Sequence, residues 1–266
     1  MLIAEETKRA LIVVRTYPTP SRSGVEVSCT AAITDKQEWL RLFPVPWRLL
    51  DADKRFRKYQ WVDVTVTKAR DGRPESYKLK PDGISIVTHP LGTENYWARR
   101  KEIVFPVRSE SLCELVRRRD LNGHPTLGFF KPKLIEALSI TPESPNWTQA
   151  QTDALRQGHL FLEKPEKELE KIPLAFRYEF CCNDQKCSGH KMICTDWEMA
   201  ESYRKWKADY GANWEEKFRQ RYESEMISKN DTHFYVGTLN KYPNAWIIIG
   251  LFYPPHEPDP AQRKLF

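Results

Sequence analysis

Five of the chain's twelve cysteine and histidine residues fall between positions 181 and 194: Cys181, Cys182, Cys187, His190 and Cys194. A random window of that length would hold about 0.6 of them on composition alone. Soft thiolates and an imidazole in one short run suit a tetrahedral zinc site, because a shared divalent ion offsets the cost of gathering charged sulfurs. The spacing selects Cys182, Cys187, His190 and Cys194 as the ligand set, separated by four, two and three residues. Cys181 can replace Cys182, since neighbours on a strand point to opposite faces and only one can face the ion. Four protein ligands would make a closed, structural Zn2+ site. The competing explanations are a set of reduced structural cysteines beside a surface histidine, and a redox pair.

Two carboxylates follow the cluster. Asp196 and Glu198 become candidate catalytic groups if one ligand is missing and a metal-bound water takes its place. Both also have a plain structural explanation at a helix start: Thr195-Asp196-Trp197-Glu198 reads as a capping box with Thr195 as N-cap. The zinc-deaminase signature is absent. So are the Walker A, dinucleotide-binding, nucleophile-elbow and zincin motifs, which excludes those enzyme classes.

The cationic residues gather elsewhere. Residues 1–150 hold 25 Lys and Arg against 18 Asp and Glu, whereas residues 151–266 hold 17 against 18. A polyanion would be drawn to the first part. Its densest stretches contain Arg55, Arg57 and Lys58, then Arg99 and Arg100, then Arg117, Arg118 and Arg119. Aromatic residues are interleaved, as phosphate contact combined with base stacking requires. Nucleic acid, DNA or RNA, is therefore the expected partner.

The elements that must carry these residues read as α+β. Ala10 to Arg15, Val25 to Ile33, Trp61 to Lys68 and Gly83 to His89 are strand-like, with a short helix over Glu110 to Arg119. They make a β-rich N-terminal domain, a small barrel or bent sheet, over 1–150. Prolines and alternating charge place a linker within 140–170, and no internal repeat stands out. An α+β metal-binding domain follows over 165–266. Phe176, Tyr178 and Phe180 alternate on a strand, and Met199, Tyr203, Trp206 and Tyr210 form a helical stripe. Trp214, Phe218, Tyr222 and Met226 form a second stripe, and strands over Thr232 to Leu239 and Ala245 to Tyr253 close the chain as a hairpin. His233 reads as a buried histidine with its hydrogen bond made.

The C-terminal half resembles a bacterial protein family of no established function with a Cys-x4-Cys-x2-His…Asp-Trp-Glu segment and a late strand pair. Here these are Cys182, Cys187, His190, Asp196-Trp197-Glu198, Phe234 to Thr238 and Trp246 to Pro255. The resemblance implies no reaction; it favours Cys182 over Cys181 as ligand. With no signal-like start, no 18-residue apolar run and clustered thiols, a cytoplasmic protein is expected. The leading expectation is a two-domain nucleic-acid-binding protein with a structural zinc. The alternatives are a metal-dependent nuclease using the His190, Asp196 and Glu198 region, and an adaptor with protein partners that docks through exposed Trp47, Trp97 or Trp147.

Overall fold

A computed structural model describes residues 4–21, 25–158 and 168–258. The first sheet contains β1 (Glu5–Arg15), β2 (Thr19–Ser21), β3 (Val25–Thr34), β4 (Trp39–Val45), β5 (Trp61–Lys68) and β6 (Ser76–Ile86). Its order is β1-β5-β6-β4-β3-β2, and β1 also pairs with β3, which closes five strands into a barrel. Only β4 and β6 run parallel. Alternation fills the interior: Val62, Val64 and Val66 of β5 are fully buried. Register shifts in β1, β3 and β5 supply the bends that closure needs. The connectivity is that of a Greek-key barrel of the OB type.

Next come α1 (Glu94–Val104), α2 (Leu112–Asn122), β7 (Leu127–Phe130), β8 (Leu134–Pro142), α3 (Gln149–Gly158), β9 (Leu174–Cys181) and β10 (His190–Cys194). The chain ends with α4 (Trp197–Tyr210), α5 (Trp214–Arg219), α6 (Glu225–Ser228), β11 (His233–Thr238) and β12 (Trp246–Phe252). A π-helical turn over Gln220–Ser224 joins α5 to α6. The second sheet has the order β7-β11-β12-β10-β9-β8, again with one parallel pair, β10 and β12. Strand for strand this repeats the order of the first sheet six positions later. Its outermost strands, β7 and β8, are separated only by Lys131, Pro132 and Lys133, so one bent stretch of chain joins both rims. The expected absence of a repeat is thus corrected at the level of topology.

The changeover between sheets also lies earlier than the expected linker. Both β7 and β8 pair within the second sheet, so it begins at Leu127, inside the span assigned to the first domain. The proline-rich stretch after Pro142 connects β8 to β9 within that sheet; residues 159–167, which it includes, lie outside the described residues. A further correction concerns α4, whose N-cap is Asp196, accepting from the N–H groups of Glu198 and Met199, and not Thr195.

Three apolar cores result. One fills the first barrel and one lies between the second sheet and its helices. The third joins the two halves: Leu11, Val13, Ala31 and Ile33 on the outer face of the first barrel meet Phe129, Tyr235, Ile249 and Phe252. Central strands with both faces covered read as continuous apolar runs, and all six residues of β11 are buried.

His233 sits in this third core, its ring 5.1 Å from Phe129 and 5.2 Å from Phe105, with Nδ1 2.9 Å from the Asp231 carbonyl. Burial lowers its pKa to about 4, against the opposing pull of Asp231. The unfolded chain therefore takes up a proton near pH 6.5 that the native state refuses. Stability should fall between pH 6.5 and 4, by about 3 kcal/mol from this group. Urea midpoints across that range should fall less steeply in a His233→Phe variant; equal slopes would remove His233 as the cause.

Candidate metal centre

The β9–β10 connection leaves the sheet at Cys182 and re-enters it at His190. Asp184 shapes it, its carbonyl accepting from the Cys187 N–H at 3.1 Å and its carboxylate from the Lys186 N–H at 2.9 Å. Gly189 has φ +89°, a conformation that favours glycine, and lets the chain reverse before His190. The Cys182 N–H points at Cys187 Sγ, 3.2 Å away. From across the fold α2 approaches. Ser111 caps it by accepting from the Glu114 N–H, which sets Cys113 in its first turn, and Arg117 meets Asp184 at 2.7 Å one turn later.

Four donor atoms converge here. One atom each from Cys113, Cys182, Cys187 and His190 lies within 4.8 Å of all the others. His190 Nε2 is 3.3 Å from Cys113 Sγ and 3.4 Å from Cys187 Sγ. With zinc–sulfur and zinc–nitrogen bonds near 2.3 and 2.0–2.1 Å, a regular tetrahedron has a sulfur–nitrogen edge of about 3.6 Å. The donors are thus spaced as a single small ion requires.

Their electrostatics agree. Burial, with Cys182 and Cys187 alongside, pushes the Cys113 thiol up to about 12. Burial also raises Cys182. For Cys187 burial acts upward but is outweighed by N–H groups of Cys182 and Gly189, which bring it below its ordinary value. Burial lowers His190 and keeps the imidazole neutral, the form that ligates. Two sulfurs that resist ionising beside a third that ionises readily are an environment a divalent cation relieves.

The set differs from the expected one at one ligand. Cys194 stands at the far end of β10 from His190, four residues or about 13 Å along an extended strand. It is buried on the Asp196 side, and burial raises its thiol strongly. Cys113 takes its place, from 69 positions upstream of Cys182. Cys181 ends β9 opposite Leu134 and is outside the group of donors. The sequence marks Cys113 only as a cysteine inside the predicted helix over Glu110 to Arg119.

Asp196 and Glu198 belong to a different environment. Asp196 Oδ1 accepts from the Glu198 and Met199 N–H groups, and Oδ2 from the Leu251 N–H and Lys58 Nζ. Four donors saturate that carboxylate, and the side chain is 2% exposed. Lys58 Nζ is also 3.1 Å from Glu198 Oε2. This ion triad bridges the first barrel and α4, at the opposite end of β10 from the metal centre.

The basic residues meet varied fates. Arg57 and Arg99 are exposed, whereas Lys58 is buried in the triad. Arg55 donates to the carbonyls of Leu50 and Arg48. Arg100 donates to the Leu91 carbonyl and lies over the Tyr59 and Trp97 rings. On α2, Arg117 pairs with Asp184, Arg118 with Glu114, and Arg119 bonds Asn244.

Fold and site define a class: a closed barrel followed by a helix-bearing sheet of the same strand order, with a three-cysteine, one-histidine donor cluster in the second half. The chain belongs to the family described as domain of unknown function DUF8757, whose model matches residues 108–266. A second domain of unknown function, DUF8758, matches residues 6–106. No curated protein matches the sequence. Among solved structures, similarity is found to one titled "Structure of murine DNA binding protein bound with ds DNA", at 8% identity and a TM-score of 0.31. That alignment covers 96% of this chain and 98% of that one. Among the described residues no helix is long and apolar enough to cross a membrane.

Proposed function

We propose that this protein binds nucleic acid, with Cys113, Cys182, Cys187 and His190 holding a structural Zn2+ ion that fastens α2 to the second sheet. The observation that carries the binding proposal is the OB-type strand order, present in the first barrel and repeated in the second sheet. Barrels of this connectivity commonly offer a strand face and flanking loops to oligonucleotides. The positive excess of residues 1–150 supplies the matching charge. Zinc follows from the donors: three soft sulfurs and a neutral imidazole complete a tetrahedron and leave no open position. All six cysteines are free thiols, which suits a reducing compartment such as the cytoplasm.

The nuclease alternative loses support because Asp196 has no vacant acceptor site and lies away from the ion. The adaptor alternative loses support because Trp47, Trp97 and Trp147 are all partly buried. Trp47 and Trp147 donate to the Phe56 and Leu169 carbonyls, and Trp97 packs on Phe252.

Fluorescence anisotropy with labelled single-stranded DNA, duplex DNA and RNA tests the proposal. With about five phosphates neutralised, affinity should fall roughly 500-fold for the duplex and roughly 100-fold for a single strand between 50 and 200 mM salt. No binding to any of the three at 50 mM salt, or binding indifferent to salt, would end it.

A further inference from the structure

About half of the cations that the sequence advertises have carboxylate partners, namely Lys58 and the three α2 arginines, while Arg55 and Arg100 are engaged by carbonyls and Arg57 and Arg99 stay exposed. One cleft differs. A space of about 460 Å3 beside the metal centre is lined by Arg108, Ser109, Glu110, Lys131, Lys133 and Asn183. It sets three cations against one carboxylate.

Each wall is held by backbone. Ser109 N–H bonds the Phe129 carbonyl at 2.8 Å, Lys133 N–H bonds the Cys181 carbonyl at 2.9 Å, and Asn183 directly follows the ligand Cys182. The Arg108 guanidinium lies 5.1 Å over the Phe105 ring, which fixes its plane without consuming its N–H donors. Lys131 has Asp231 at 2.6 Å as a partner. Lys133 is exposed and has no carboxylate partner among the described residues. A second cleft, of about 440 Å3, shares Arg108, Ser109 and Glu110 and continues past Arg118. Because they share those three residues, the two count as one groove along the first turns of α2, in which Glu114 also stands, paired with Arg118.

We infer that this groove, centred on Arg108 and Lys133, is where the nucleic acid's phosphates dock. The inference rests on the nucleic-acid reading above. Preset cations and a hydroxyl on rigid backbone suit phosphate oxygens, which need donors and positive charge and impose no base sequence. The bent chain that carries Lys131 and Lys133 is bonded to the residue preceding Cys182, so the metal-bearing connection and the groove form one rigid unit.

The test uses the full chain and a labelled 20-nucleotide strand that the wild type binds. Arg108→Glu with Lys133→Glu should weaken binding at least tenfold at 100 mM salt and lower the salt slope by about 1.4. Lys133→Gln alone should weaken it a few-fold and lower the slope by about one. Lys205→Glu, on the exposed part of α4, should change it less than twofold; metal content and melting temperature establish that each variant is folded. If wild type binds with steep salt dependence and folded groove variants bind equally well, the groove assignment is wrong and the nucleic-acid reading stands. If Lys205→Glu weakens binding as much as the groove pair does, overall charge is responsible and the assignment is equally wrong. If wild type binds no strand at 50 mM salt, both fall together.

Discussion

Replacing Cys113 by serine is expected to empty the metal centre, and replacing Cys194 by serine is expected to leave it full. Elemental analysis of purified wild type should give about one zinc per chain, and the Cys113→Ser variant near none. The physical ground is geometric. A serine hydroxyl neither reaches thiolate softness nor ionises near neutrality, so three donors remain where four were arranged around a point. The stability consequence is also large. In the variant two sulfurs, an imidazole and a hydroxyl are left without the ion, and α2 loses its metal tether to the β9–β10 connection. The links that remain include an exposed Arg117–Asp184 pair, worth little on its own, the Arg119–Asn244 bond, and the apolar packing of Leu112, Leu115 and Val116. A loss of about 3 kcal/mol corresponds to roughly 6–12 °C in melting temperature for a chain of this size. Chelator added to wild type should reproduce that shift and leave Cys113→Ser unmoved. The reverse pattern, metal kept by Cys113→Ser and lost by Cys194→Ser, would restore the ligand set read from spacing and overturn the one read from geometry.

That contrast shows where the sequence was legible. A tight Cys/His run announces itself by local density, and Cys182, Cys187 and His190 do converge. Whether the fourth member follows at Cys194 depends on the secondary structure between. Three intervening residues bring two side chains together on a helix but set them about 13 Å apart on a strand, and 190–194 is a strand. No local pattern carries Cys113, because its contribution is made by tertiary docking of α2. The C-terminal elements were plain for a related reason. Phe176, Tyr178 and Phe180 alternate, Trp214, Phe218, Tyr222 and Met226 keep a helical period, and periodicity survives wherever one face meets a core.

Other features were hidden because unlike residues build like topology. Between β4 and β5 the first half has only short 3-10 turns at 47–49 and 52–54, whereas between the equivalent β10 and β11 the second has α4 through α6. Equal strand order with unequal connections leaves no period to detect. The long β8–β9 connection has the composition of a linker, and only the pairing of β8 with β9 shows that it lies within one sheet. Pro44 masks β4, since a proline cannot donate in a ladder. The strand tolerates it at an irregularity, where its partners on β3 jump from Thr30 opposite Leu42 to Ser28 opposite Val45. The charge excess of the first half was readable as a sum, but which arginines stay available is decided partly by neighbours distant in sequence, such as Asp184 for Arg117 and Asn244 for Arg119.

Removing the Lys58 ammonium should be the most damaging single change between the two halves. Its Nζ lies 3.1 Å from both Asp196 Oδ2 and Glu198 Oε2 and donates to the Leu251 carbonyl at 3.3 Å. Lys58→Met leaves the Asp196 carboxylate buried without a counter-charge at the start of α4, and breaking a buried pair from one side costs about 3–5 kcal/mol. Removing both charges should cost less than the sum of the two single losses. A Lys58→Met/Asp196→Asn cycle would therefore show favourable coupling, since the stranded charge is absent from the double variant. The pH dependence is divided within the triad: burial raises Asp196 against the pull of Lys58, so Asp196 opposes the other two and the acid-side sign is set by Glu198. Lys58 is held well above 10.5 by the two carboxylates in spite of burial, so its contribution is complete at neutral pH and fades only as pH rises through that elevated value. Glu198 is lowered below 4.5, chiefly by Lys58, so its contribution is present above 4.5 and is lost as pH falls through the lowered value. In Lys58→Met the Glu198 pKa should rise, and acid unfolding should begin at higher pH than in wild type. A loss below about 1 kcal/mol in urea, together with an acid limb superimposable on wild type, would mean that the triad is incidental and that the apolar third core alone holds the halves together.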